Sequence, residues 1–225
     1  MSKRFWLERT VAAVALAALA STASAQTVIT QSKASAGLSA CDPPGFPVVI
    51  CKTGSYKLTT NLTVPNGNTT AIFITADNVT IDLNGFGIYG PETMTGTGIG
   101  IYANQSNVAV MNGSVRGLGR SGIYLDGNSH RVEKVFALRN GLHGIFVNSG
   151  SIVSSSTTSY NYWGIEARGS LVSGNVIQGN QDGGLLLYAA TGYERNILIG
   201  NRVSIYNPTL GHSLGGNICD STTCP

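Results

Sequence analysis

Charge is scarce in this chain of 225 residues. Asp, Glu, Lys and Arg supply 11% of it, against about 25% in an average domain. Histidine occurs three times and tryptophan twice. There is no Cys-x-x-Cys, and neither cysteine pair has a histidine close by, so the common zinc arrangements are excluded. No two Asp residues are adjacent, so the carboxylates stand singly. No polybasic stretch is present, which removes the phosphate-neutralising surface that a nucleic-acid partner needs. Past residue 25 no apolar run is long enough to cross a bilayer, and no segment keeps a hydrophobic period of 3.6 residues.

The first 25 residues read as an export signal of bacterial style. Lys3, Arg4 and Arg9 precede the apolar run Val11 to Ala20, and Ala23-Ser24-Ala25 forms a small-x-small cleavage site. The expected destination is the periplasm or the medium. The signal takes three of the 14 basic residues and one of the 11 acidic ones, leaving a mature net charge of +1. Four cysteines remain, as the local pairs Cys41/Cys51 and Cys219/Cys224. In an oxidising compartment two local disulfides are the favoured pairing.

Glycine, with 29 residues, carries the organisation. A Gly followed by alternating apolar residues recurs at Gly100, Gly122, Gly144, Gly164 and Gly184, spaced by 22, 22, 20 and 20. That period marks a solenoid. Further short apolar strands follow in each repeat, such as Val108-Ala109-Val110 and Leu171-Val172-Ser173. Asparagines recur at 140, 161, 180 and 201, where a turn tolerating left-handed backbone is expected. Helical repeats need longer units, and the Leu-x-x-Leu-x-Leu pattern is absent. The reading is an all-β parallel β-helix of about seven coils of 20–22 residues with capped ends. Its expected parts are a flexible leader at 26–40, an N-terminal cap at 41–63, coils at 64–207 and a C-terminal cap at 208–225. Pro208 and the glycine-rich stretch from Gly211 break the repeat before the last cap.

Two stretches resemble bacterial right-handed β-helix proteins of the pectin-lyase-like superfamily. They are Gly54-Ser55-Tyr56-Lys57-Leu58-Thr59 with Thr75 to Gly85, and Ser173-Gly174-Asn175-Val176-Ile177-Gln178-Gly179-Asn180. The resemblance covers about residues 48 to 205. It implies the right-handed form of the helix and a carbohydrate-binding or sugar-hydrolase setting. It leaves function open, because this scaffold hosts lyases, hydrolases and binding modules.

Alternation within each Gly-led strand points Tyr102, Tyr124, Phe146, Glu166 and Leu186 outward in one column. Asn104, Asp126, Asn148, Arg168 and Tyr188 form the next. The corner before each Gly holds Arg120, Leu142, Tyr162 and Asp182, then Ser121, His143, Trp163 and Gly183. Flat rings beside Arg, Asn and Asp are what a glycan needs, so Tyr102, Tyr124, Phe146, Trp163, Arg168 and Tyr188 are the expected carbohydrate contacts. The same rings also serve as a ladder that steadies stacked coils. Catalysis would draw on Asp126, His143, Glu166, Arg168 or Asp182, with Arg120 as another base, but no spacing demands it. The resemblance implies that a lyase of this superfamily would also need calcium. Asp82 and Asn84 read as a turn rather than as calcium ligands, and no cofactor is expected. The leading expectation is therefore a monomeric, non-catalytic exported protein that binds a polysaccharide or cell-surface glycan. A polysaccharide lyase or hydrolase is the alternative, and a structural or adhesive stalk is the third reading.

Overall fold

The computed structural model describes residues 26–188, 190–220 and 222–224. The segment read as an export signal lies outside the described residues. The rest is a parallel β-helix of about eight turns. One sheet of eight strands runs Val48–Ile50, Ile72–Ile74, Ile101–Ala103, Ile123–Leu125, His143–Val147, Trp163–Ala167, Gly183–Leu187 and Val203–Tyr206. A second sheet of 16 strands holds the remaining two segments of each coil. Every pairing between successive coils is parallel. The extra coil beyond the expected seven starts at Val48–Ile50, which pairs with Ile72–Ile74 and so is a rung rather than part of a cap.

Alternation sets what is inside. Ile123, Leu125, Ile145, Val147, Ile165, Ala167, Leu185 and Leu187 are fully buried from the eight-stranded face, and Val132, Val153, Val172 and Leu198 meet them from the other. A stacked cylinder cannot hide the backbone at its corners without polar partners. Three interior ladders supply them. Asn161 accepts from the amide N–H of Asn140 at 2.9 Å and donates to the carbonyl of Ala137 at 3.0 Å. Asn180 and Asn201 repeat this in the next coils. A second ladder runs Ser156, Asn175, Asn196, Asn217, and a third His130, Ser151, Ser170.

This changes the role expected for the asparagines. The left-handed residue is the one before each of them, at Arg139, Tyr160, Gly179 and Gly200. The repeated glycines are likewise not turn residues. A Cβ on Gly122 would lie 2.8 Å from the carbonyl oxygen of Gly144 and 2.8 Å from the side-chain Nδ2 of Asn140. Close approach of coil to ladder, not a left-handed angle, demands glycine there.

Both ends differ from expectation. The segment expected as a flexible leader is ordered. Thr27–Ile29 pairs with Gly54–Leu58, and a helix follows at Gln31–Ala36, capped by Thr30, whose Oγ1 accepts from the N–H of Lys33. Ile29 and Ala34 are fully buried. The Gln31 side-chain amide bonds both backbone groups of Thr63, as a strand would. An unpaired first rung would leave a bare edge, and this segment covers it. At the other end Gly211–Gly215 continues the parallel stack against Thr191–Glu194 instead of breaking it. The antiparallel pair Ile218–Cys219 and Thr222–Thr223 closes that sheet. Cys41–Cys51 and Cys219–Cys224 are both disulfides.

Candidate functional site

The outward column of the eight-stranded sheet is one register line: Phe73, Tyr102, Tyr124, Phe146, Glu166, Leu186, Tyr206. Phe73 and Tyr206 extend the column beyond what the Gly-led repeat marked. The coil spacing, about 4.8 Å, suits offset ring stacking. Phe73 and Tyr102 stack at 5.1 Å between centroids, and Tyr124 and Phe146 at 4.2 Å.

The column is not uniformly open. Phe146, expected as a sugar contact, is only 1% exposed. Tyr124, the His143 ring at 5.7 Å and the Arg168 guanidinium at 5.1 Å cover it. Tyr188 and Tyr162 are exposed, and Tyr102, Tyr124 and Trp163 are half-buried. Trp163 packs edge-on against Tyr162 and Tyr206. Gly183 seats it, since a Cβ there would lie 2.4 Å from the indole. At the other end of the column Phe46, Pro47, Asn68, Thr70, Phe73 and Tyr102 enclose a cleft of about 400 Å³.

One charged residue interrupts the rings. Glu166 is buried, and both of its oxygens are used. Oε2 accepts from His143 Nε2 at 2.8 Å. Oε1 accepts from Arg168 Nη2 at 2.7 Å and Nε at 3.1 Å. Burial opposes ionisation of Glu166, but the bonds and charge of His143 and Arg168 outweigh it and hold its pKa below the ordinary glutamate value. Partial desolvation works against the Arg168 charge, and the Glu166 contact overcomes it. The freed face of Arg168 lies over Tyr188 at 4.6 Å. Arg120 covers Tyr124 in the same way at 5.1 Å.

The far side of His143 meets Ser121, whose Oγ lies 3.2 Å from Nδ1. Ser, His and Glu are thus linked across three coils, with the residue types of a nucleophilic triad. The geometry differs in two ways. The hydroxyl faces Nδ1 rather than Nε2, and Ser121 is fully buried, so it cannot meet a substrate. With both nitrogens bonded, His143 has no lone pair turned to solvent.

The other expected acids do not converge. Asp182 accepts from Arg202 at 2.6 Å and from the Tyr206 hydroxyl at 3.2 Å. Asp126 is exposed, and among the described residues its carboxylate has no hydrogen bond or ion pair. No group of three potential metal-ligating side chains converges among the described residues. Asp82 Oδ1 accepts from the N–H of Asn84 at 2.8 Å and from Asn112 at 3.1 Å, as a turn residue does. Two motif spacings in the glycine-rich segments belong to the coils. Gly117-Leu118-Gly119-Arg120-Ser121-Gly122 has nucleotide-fingerprint spacing and Gly211-His212-Ser213-Leu214-Gly215 that of a nucleophile elbow, but neither leads from a strand into a helix.

No family model matches the chain, and no curated protein matches it. Two solved structures do. One is a point mutant of the periplasmic alginate epimerase AlgG, with a TM-score of 0.49, 13% identity, and coverage of 83% of this chain and 60% of that one. The other is a double mutant of the same epimerase, with a TM-score of 0.40 and 13% identity over 80% and 60%. The chain therefore spans about 60% of the length of the structures it resembles.

Proposed function

We propose that this is an exported, monomeric polysaccharide-binding β-helix that holds its ligand along the outward column without cleaving it. One observation carries the reading. A line of rings runs from the Phe73–Tyr102 cleft along the coils, and Arg120 and Arg168 lay guanidinium groups over Tyr124 and Tyr188 beside it. Sugar rings stack on such faces, and guanidinium and amide groups supply hydrogen bonds at the edges. The cleft volume lies in the range of about 300–1,000 Å³ typical of ligand sites.

The catalytic alternative draws less support. Two carboxylates flanking a scissile bond are needed for hydrolysis, and of the three expected acids Glu166 and Asp182 are spent on their own cations, which leaves Asp126 without a bonded partner among the described residues. The stalk reading is favoured by the buried Phe146, whose ring serves the stack alone.

The test is retention of the mature protein on a panel of neutral, uronate and sulfated polysaccharides, together with release of new reducing ends with and without calcium. Retention without release supports the proposal. Release that is lost on replacing Asp126, Arg168 or His143 would make the protein an enzyme. Neither retention nor release would leave the stalk.

A further inference from the structure

Around the corner from the aromatic column, a cleft of about 320 Å³ opens between Arg116, Leu138, Arg139 and Tyr160. We propose that this cleft is a second saccharide subsite, shaped for a hexuronate unit, whose carboxylate position the chain's own Glu92 fills in the free protein. The ligand class rests on the polysaccharide reading above; the place and the charge preference rest on the cleft alone.

The cleft is built by the corner residues of successive coils. Arg139 and Tyr160 occupy the left-handed corner position, with φ of 51° and 57°. The same corner is glycine on either side, at Gly117 and Gly179. A Cβ on Gly117 would lie 2.8 Å from Cγ of Glu92, and one on Gly179 would lie 2.9 Å from the Tyr160 ring. The glycines therefore leave the room that Glu92 and the tyrosine ring take up. Bulky residues enter the left-handed region only at a cost, and here they aim a cation and a flat ring into one opening.

Glu92 arrives on the segment 90–98, which links the strands Gly87–Tyr89 and Ile101–Ala103. Its own φ is 60°, and that of Met94 is 54°. Oε1 meets Arg116 and Oε2 lies 3.5 Å from Arg139, so one carboxylate is shared between two guanidinium groups. The side chains of Arg116, Arg139 and Glu92 are 44%, 58% and 36% exposed. An ion pair this open to water is weak and exchangeable. A hexuronate offers the same carboxylate with a sugar ring attached, and Tyr160, half exposed, gives that ring a surface that Glu92 does not use. Tyr160 and Tyr162 flank the buried Asn161, so the cleft and the aromatic column share a corner.

The test is calorimetric titration of the mature protein with a hexauronate oligosaccharide and with its carboxyl-reduced counterpart. Glu92→Gln should tighten hexauronate binding about tenfold by removing the internal competitor, and Arg139→Gln should weaken it about as much. Both effects should persist in an Arg168→Ala background, which disables the column and leaves the cleft. Equal affinity for the reduced sugar, or no gain in Glu92→Gln with an unchanged melting temperature, would overturn the subsite. Binding that depends on Arg168 but not on Arg139 would overturn it too, while leaving the polysaccharide reading standing. Binding that depends on Arg139 but not on Arg168 would support the subsite and sink the column.

Discussion

Glu166 stands in a column of rings because His143, one coil away, donates to it at 2.8 Å. With Arg168 on its other oxygen, the carboxylate is held ionised despite burial. A carboxyl whose folded pKa is depressed stabilises the fold fully above its unfolded value, about 4.3 for glutamate, and that stability is lost as pH falls through the folded value. Urea midpoints of the wild type should therefore drop as pH is lowered from about 5 toward 3. Glu166→Gln should lower the midpoint at pH 7 and flatten that acid slope. An unchanged slope would show that the pair is not coupled to folding.

His130 is the opposite case. It is buried in the third ladder, its Nδ1 accepts from the N–H of Val108 at 3.3 Å, and its Nε2 has no hydrogen-bond partner among the described residues. Burial lowers its pKa by disfavouring the charged ring, ahead of smaller opposing contributions from the Gly127 backbone and Asp126. Its contribution is complete above about pH 6.5 and is lost as pH falls through the depressed value. His130→Asn installs the side chain that the other ladders use. It should raise stability by about 1 kcal/mol at pH 6 and reduce the slope between pH 7 and 5. A variant less stable than the wild type at pH 6 would refute this account of the ladder.

Asn161 bonds Asn140, Ala137 and Asn180. Asn161→Ala strips partners from several buried backbone and side-chain groups at once, each costing about 1–3 kcal/mol. The expected loss is about 3 kcal/mol in chemical denaturation, with the β-sheet circular dichroism of the remaining fold retained. A loss under about 0.5 kcal/mol, the range of an ordinary surface change, would mean that solvent replaces the ladder.

Tyr124→Ala and Tyr188→Ala should each weaken polysaccharide retention about fivefold, since one stacked ring contributes about 1 kcal/mol. Phe146→Ala should act differently. Its ring is covered, so the variant should lose about 3–4 kcal/mol of stability with retention intact in the folded fraction. Equal retention by the two tyrosine variants and the wild type would assign the rings to stability alone.

The amino-acid sequence by itself determined the solenoid. The Gly-led strands at 122, 144, 164 and 184 fixed the coil period, and alternation placed Ile123 and Leu125 inside and Tyr124 outside, because strand side chains alternate strictly. Local cysteine spacing likewise pointed to both disulfides. Only the tertiary structure decided what the corners do. Whether an asparagine turns the chain or bonds the coil beside it depends on a neighbour some 20 residues away, which local pattern does not carry. The same holds for His143 and Glu166, which are 23 positions apart in sequence and meet only when the coils stack. The leader looked polar and structureless until the bare edge of Gly54–Leu58 gave it something to pair with. Contacts made along a strand are written in the sequence; contacts made along the axis of the stack exist only once the register is set.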